Sequence, residues 1–225
     1  MALIAPSLLA ADFSRLGEAL EMVKSAGATM VHVDVADGHF SPDLTAGQPV
    51  IKSLRDATDL TLDVHLLIER PERYAGEFVD LGADWVSLHA EATTNLHPVL
   101  ETIRARGAKA GVALNPSTPL EALDEVMGEV DFVTLLTADP GLKERAFIPG
   151  SLEKIRRAAR VRDDRRLKFA IQVEGGVNLE RVEEMVQAGA DILVAGSAIF
   201  NNDSPRARLA DMIRLAATAR QASKV

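Results

Sequence analysis

At 225 residues, 47% hydrophobic and 26% charged, the chain is long enough to bury roughly 70% of its unfolded surface around one core and too apolar to remain disordered. Its 33 acidic residues against 25 basic ones leave a formal charge of −8, which argues against the clustered positive charge that nucleic-acid backbones require. Cysteine is absent, so disulfides and thiolate chemistry are excluded, and any metal must be held by histidine and carboxylates.

In chain order, short β-branched or Leu-rich runs alternate with longer amphipathic stretches. A strand is predicted at Leu3–Leu8 and a helix at Phe13–Ser25. Strands follow at Met30–Asp34 and Leu60–Leu66, then a helix at Pro71–Leu81. The next pairs are strand Trp85–His89 with helix Leu96–Arg106, and strand Lys109–Leu114 with helix Leu120–Gly128. Strand Phe132–Thr137 precedes helix Leu152–Arg160, strand Phe169–Val173 precedes helix Leu179–Ala188, and Ile192–Ala195 is the last strand. Gly27, Gly82, Gly107 and Gly189 fall where a left-handed residue ends a helix before the next strand. The Arg- and Asp-rich stretch 156–168 reads as a solvated helix end and turn.

Alternation of this kind, with near-continuous apolar strands, predicts a parallel sheet buried on both faces. Eight units predict an α/β fold of one (β/α)8 TIM barrel over residues 1–225, as a single catalytic domain. An open doubly wound sheet is the structural rival, but the loop after the first strand, SLLAADF, lacks a GxGxxG fingerprint. The N-terminus has no basic start, and Asp12 cuts its apolar run short of a signal peptide. No run reaches the roughly 18 apolar residues of a membrane helix. A cytoplasmic protein with no membrane and no nucleic-acid partner is expected; a homo-oligomer is compatible with the sequence.

Parallel barrels carry their sites at the C-terminal strand ends. There the chain places Ser7, His32, Asp34, His65, His89, Asn115, Thr137, Glu174, Gly196 and Ser197. His32 and Asp34 share one strand face by the two-residue period, as do Asp63 and His65. A structural polar cluster is one reading. The favoured one is a metal held by His32, Asp34, His65 and Glu174, an N2O2 set suited to Zn, Mn, Fe or Co. Asp63 either orients His65 or pairs lower in the barrel. Gly175 and Gly176 after the seventh strand, and Gly196 and Ser197 after the eighth, lie where barrels bind phosphate through backbone N–H groups. Asp37, His39 and Asp43 are either loop contacts or surface polarity, and His97 is assigned no role.

Together, "APSLLAADF", "HVDVADGHFSPDLT", "LDVHLLIERPE", "GVALNPSTP", "VEGGVN" and "AGADILVAGSAIF" resemble the ribulose-phosphate 3-epimerase family over nearly the whole chain. The resemblance implies a (β/α)8 barrel interconverting D-ribulose 5-phosphate and D-xylulose 5-phosphate through an enediolate, with one divalent metal ion per subunit and two acid/base carboxylates. By motif, His32, Asp34 and His65 match metal ligands, and Asp34 is also one acid/base. Ser7 matches a substrate contact, His65 is expected to bind substrate as well, and Gly196 and Ser197 match phosphate-binding positions. The family's second acid/base and fourth ligand is an Asp in "VDGG"; here it is Glu174. Three Met residues often line the family's metal pocket, where this chain has Ala36, Leu67 and Leu136. The sixth loop, in the family of the form "PGFGGQ", reads Pro140-Gly141-Leu142-Lys143-Glu144-Arg145; Lys143 and Arg145 are either phosphate contacts or surface charges.

Two rival functions follow. A related sugar-phosphate lyase would carry DxKxxD, but Ala36 stands where its Lys would be. A non-catalytic sugar-phosphate binder is the other, and an epimerase of four- or six-carbon ketose phosphates stays open.

Overall fold

The computed structural model describes residues 2–140 and 146–222. Eight parallel strands form one sheet: β1 (Leu3–Pro6), β2 (Met30–Ala36), β3 (Thr61–Leu67), β4 (Trp85–His89), β5 (Lys109–Leu114), β6 (Phe132–Leu136), β7 (Ala170–Glu174) and β8 (Ile192–Ala195). From β2 to β8 each strand pairs with its sequence neighbour, and β8 pairs with β1. A parallel bridge between Ser7 and His32 closes the remaining seam between β1 and β2. The result is a (β/α)8 barrel, not an open sheet.

Its outer ring comprises α1 (Leu16–Ser25), α2 (Gln48–Ala57), α3 (Ala75–Asp80), α4 (Leu96–Ala105), α5 (Ser151–Asp164), α6 (Val182–Ala188) and α8 (Pro205–Ala222), while α7 (Ser197–Phe200) is one turn at the barrel mouth. The four glycines expected at helix ends have φ of +93° at Gly27, +104° at Gly82, +93° at Gly107 and +118° at Gly189, backbone that glycine adopts without strain.

Three predicted helices begin or persist as tighter coil. Phe13–Arg15 and Pro71–Arg73 are single 3-10 turns before α1 and α3. The stretch predicted as helix Leu120–Gly128 contains only the 3-10 turn Leu120–Leu123, followed by further turns. Its buried apolar residues are Leu120, Leu123, Val126 and Met127, a spacing that fits the three-residue repeat of a 3-10 turn and the 3.6 of an α-helix alike. Helices α2 and α8 escaped the sequence pattern. Few apolar contacts mark them: Ile51 and Leu54 in α2, and a stripe of Leu209, Met212, Ala216 and Ala219 in α8, half of it alanine.

Inside the barrel, the floor is packed with apolar side chains. Ala5, Met30, Ile192 and Val194 cluster there with Leu3, Trp85 and Ala170. The Phe132 ring fills the space left by the missing side chain of Gly111, where a Cβ would lie 2.3 Å from its edge. Above that floor the interior turns polar. Thr134 donates to Gln172 (2.7 Å), and Gln172 donates to Asp63 (2.5 Å). No helix among the described residues is long and apolar enough to cross a membrane.

Candidate metal centre and active site

Strands β2 and β3 run in register, so His32 lies beside Asp63 and Asp34 beside His65. All four point inward and are buried. Glu174, at the end of β7, reaches the same point from another wall. His65 Nδ1 lies 2.9 Å from a Glu174 oxygen and 3.5 Å from Asp34 Oδ1. His32 Nε2 lies 3.3 Å from Asp34 Oδ1 and 3.5 Å from that same Glu174 oxygen. One ligand atom from each of the four residues falls within 4.8 Å of the other three.

This geometry suits a divalent cation. His65 Nδ1 and Glu174 Oε2 are buried without a hydrogen-bond partner despite their proximity. Two bare lone pairs facing each other there would be costly to bury, and either a proton on His65 Nδ1 or a bound cation removes that cost. The outer faces of both rings are engaged. His32 Nδ1 lies 2.7 Å from Asp63 Oδ2, so a proton there is donated to the carboxylate and Nε2 is left for the cluster. Asp63 therefore orients His32; of the two roles the sequence left open, it takes pairing within the barrel, with His32 and Gln172, and not orientation of His65. His65 Nε2 instead lies 3.0 Å from His89 Nε2.

Charge agrees with geometry. Burial acts to lower the His32 and His65 pKa values. Nearby carboxylates overcome it, with Asp63 and Asp34 holding His32 well above the usual imidazole range. Glu174 and Asp34 likewise raise His65 to about 9. Burial pushes the Asp34 carboxyl up, but His32 and His65 bring it well below its ordinary value. Burial and the Asp34 charge raise Glu174, yet the two imidazoles hold it at about 2. Without a cation, then, two imidazolium charges neutralise the carboxylates. A divalent ion carries the same charge and replaces two protons.

Asp34 also connects this cluster to an open cavity of about 280 Å³ lined by Ser7, Asp34, Glu174, Gly175, Gly176, Gly196 and Ser197, among others. Ser7 donates its hydroxyl to Asp34 Oδ2 at 2.7 Å. Gly175 and Gly176 have φ of +106° and +65°. A Cβ on Gly175 would meet the Ala138 backbone nitrogen at 2.7 Å, so the turn admits no side chain there. Gly196 leads into the first turn of α7, whose opening N–H groups lack intrahelical acceptors. His32 and His65 are fully buried and stand outside the cavity lining. Asp37 organises the loop after β2, accepting N–H groups of His39 (2.9 Å), Phe40 (3.0 Å) and Glu69 (2.8 Å). His97 Nδ1 lies 2.9 Å from a Glu129 oxygen on the surface. Lys143 and Arg145 lie outside the described residues.

Residues 3–200 match the ribulose-phosphate 3 epimerase family. The chain belongs to that family. It is 42% identical over 210 residues to a ribulose-phosphate 3-epimerase of Bacillus subtilis (strain 168), covering 93% of this chain and 97% of that one. It is 46% identical over 200 residues to one from Synechocystis sp. (strain ATCC 27184 / PCC 6803 / Kazusa), covering 88% and 87%. Among solved structures it resembles 3-hexulose-6-phosphate synthase from Salmonella typhimurium, with a TM-score of 0.71 at 16% identity over 96% of this chain and 99% of that chain. Orotidine 5'-phosphate decarboxylase from Pyrococcus horikoshii OT3 gives a TM-score of 0.66 at 21% identity, over 94% and 99%. These last two likenesses describe the barrel alone. Within the epimerase family frame, Ala36, Leu67 and Leu136 are buried apolar residues beside the cluster's strands, and Leu136 lines the cavity.

Sequence reasoning passed over Gln172 and Thr134, which tie Asp63 across the barrel. Their signal was the two-residue period: Gln172 precedes Glu174 by two, and Thr134 sits between inward Phe132 and Leu136. It also left His89 without a role and overlooked Glu91.

Proposed function

We propose that this chain is a metal-dependent ketose-phosphate 3-epimerase interconverting D-ribulose 5-phosphate and D-xylulose 5-phosphate, with Asp34 and Glu174 as its two acid/base groups. The observation that carries this reading is the meeting of these two carboxylates, from β2 and β7, beside two buried imidazoles and in the wall of a glycine-rimmed cavity.

Epimerisation beside a ketone removes the C3 proton from one face of the sugar and returns a proton to the other. Asp34 serves one face and Glu174 the other, and they exchange roles in the reverse direction. Ser7 steadies Asp34 by donating to Oδ2. Groups so positioned contribute about 10²–10⁴-fold each. His32, Asp34, His65 and Glu174 would hold Zn, Mn, Fe or Co, since two nitrogen and two oxygen donors suit these ions better than Mg or Ca. A bound divalent ion supplies Lewis-acid stabilisation of the developing enediolate charge, worth several kcal/mol. Gly175, Gly176, Gly196 and Ser197 receive the phosphate through backbone N–H groups, which need no basic side chain. Glu174 keeps the carboxylate with one methylene more than Asp, and its reach to both imidazoles supports its place in the ligand set. A cytoplasmic location belongs to the same proposal.

The test is incubation of metal-reconstituted protein with D-ribulose 5-phosphate in D₂O, followed by proton NMR at C3. Xylulose 5-phosphate carrying deuterium at C3 is expected. Exchange with only four- or six-carbon ketose phosphates would move the substrate assignment. Binding without exchange of any ketose phosphate would replace it with the binding-protein reading.

A further inference from the structure

His65 is held from behind by a second histidine and a carboxylate. His65 Nε2 and His89 Nε2 are 3.0 Å apart, so one proton lies between them. His89 is fully buried, and its other nitrogen, Nδ1, lies 3.2 Å from Glu91 Oε2. The Phe40 ring covers His89, with centroids 4.6 Å apart. The other Glu91 oxygen accepts the backbone N–H of Asn115 at 2.8 Å and the Thr118 hydroxyl. Lys154 pins the same loop from beneath, donating to the carbonyls of Asn115 (2.8 Å) and Thr118 (2.5 Å).

We propose that Glu91 and His89 are positioning residues that set the tautomer of His65 and thereby present its Nδ1 lone pair to the metal. The proton order has one consistent solution. Glu91, acting only as an acceptor, takes the proton on His89 Nδ1. His89 Nε2 is then a bare acceptor and must take the proton on His65 Nε2, so the proton that a cation displaces is the one on His65 Nδ1, toward Asp34 and Glu174. The reverse order would set the His89 Nδ1 lone pair against a carboxylate and put a proton where the metal binds. This inference rests on the metal site proposed above.

Glu91→Gln is the informative variant. Asn115 N–H requires an oxygen at its end of the side chain, which turns the new amide nitrogen toward His89 Nδ1. The proton order then reverses. Zinc affinity is measured by competition with a chromophoric chelator, and nitrogen-15 NMR of the zinc-loaded wild type reads the protonation of both rings directly. The expected result is a zinc Kd about 10–100-fold weaker in Glu91→Gln, with wild-type signals showing a proton on His65 Nε2 and His89 Nδ1. A Kd for the variant equal to wild type would overturn the proposal. So would a wild-type proton on His89 Nε2, and this second reading needs no folded variant. Wild-type protein that binds no zinc at all would instead overturn the metal site itself, and this inference with it.

Discussion

Asp34 divides its two oxygens between two partners: Oδ2 receives the Ser7 hydroxyl, and Oδ1 faces both imidazoles. Replacing it with Asn keeps the volume and removes the proposed base. Asp34→Asn and Glu174→Gln are each expected to cut C3 proton exchange in D₂O by about 10²–10⁴-fold. Binding of an inert phosphate ester, held by the glycine turns, should change much less. Metal binding should also depend on pH. His65 is protonated below about 9 in the cation-free protein, and His32 is likewise raised, so a cation must displace protons throughout the neutral range. Affinity therefore falls as pH falls from 9 to 6, by about 10- to 100-fold per unit for one to two protons released. Calorimetry in buffers of differing ionisation enthalpy counts those protons, and a flat profile would contradict the raised values. At this scale the candidate ligands were legible, because a two-residue period puts His32 with Asp34 and Asp63 with His65. The choice Asp63 makes was not. It bonds His32 across the strand register, which no spacing within one strand reveals.

Elements show where periodicity speaks and where it falls silent. Strands β4, β5 and β8 sit at their predicted bounds, since continuous apolar runs ended by polar or glycine residues leave little latitude. Helices were harder. Alternation of two and 3.6 is distinct, but 3.0 and 3.6 differ little over two turns, so the Leu120 stretch read as an α-helix. Alanine conceals α8 for a different reason: a small side chain packs as a core residue without marking a strong apolar stripe. Strand β5 offers a direct test of fit between elements. Gly111→Ala places a methyl against the Phe132 ring from β6, and overpacking of this kind costs about 1–3 kcal/mol. Urea unfolding should show that loss, and Phe132→Leu in the same chain should recover part of it by vacating the space.

For the molecule as a whole, a cation bound by these four donors would couple the site to closure of the barrel. Ser7 and His32 bridge the final seam, while Ser7 also bonds Asp34, so a cation drawing on His32 and Asp34 stabilises the join. A metal present at 100 times its Kd adds about 2.7 kcal/mol to the folded state. For a chain of this length that raises Tm by about 5–10 °C. Scanning calorimetry with and without EDTA measures it, and an unchanged Tm would show that the four donors bind nothing under those conditions. Eight strands, most of the helices between them, the helix-ending glycines and the polar residues at strand ends follow from local pattern, and these were readable in the sequence alone. They depend on turns, periods and side-chain chemistry within a few residues. Closure between β1 and β2, the partners of Asp63 and His65, and the Glu91–His89 arm required the tertiary structure. Each joins residues from different strands or loops, and their distance is set by the curvature of the closed sheet rather than by their separation along the chain.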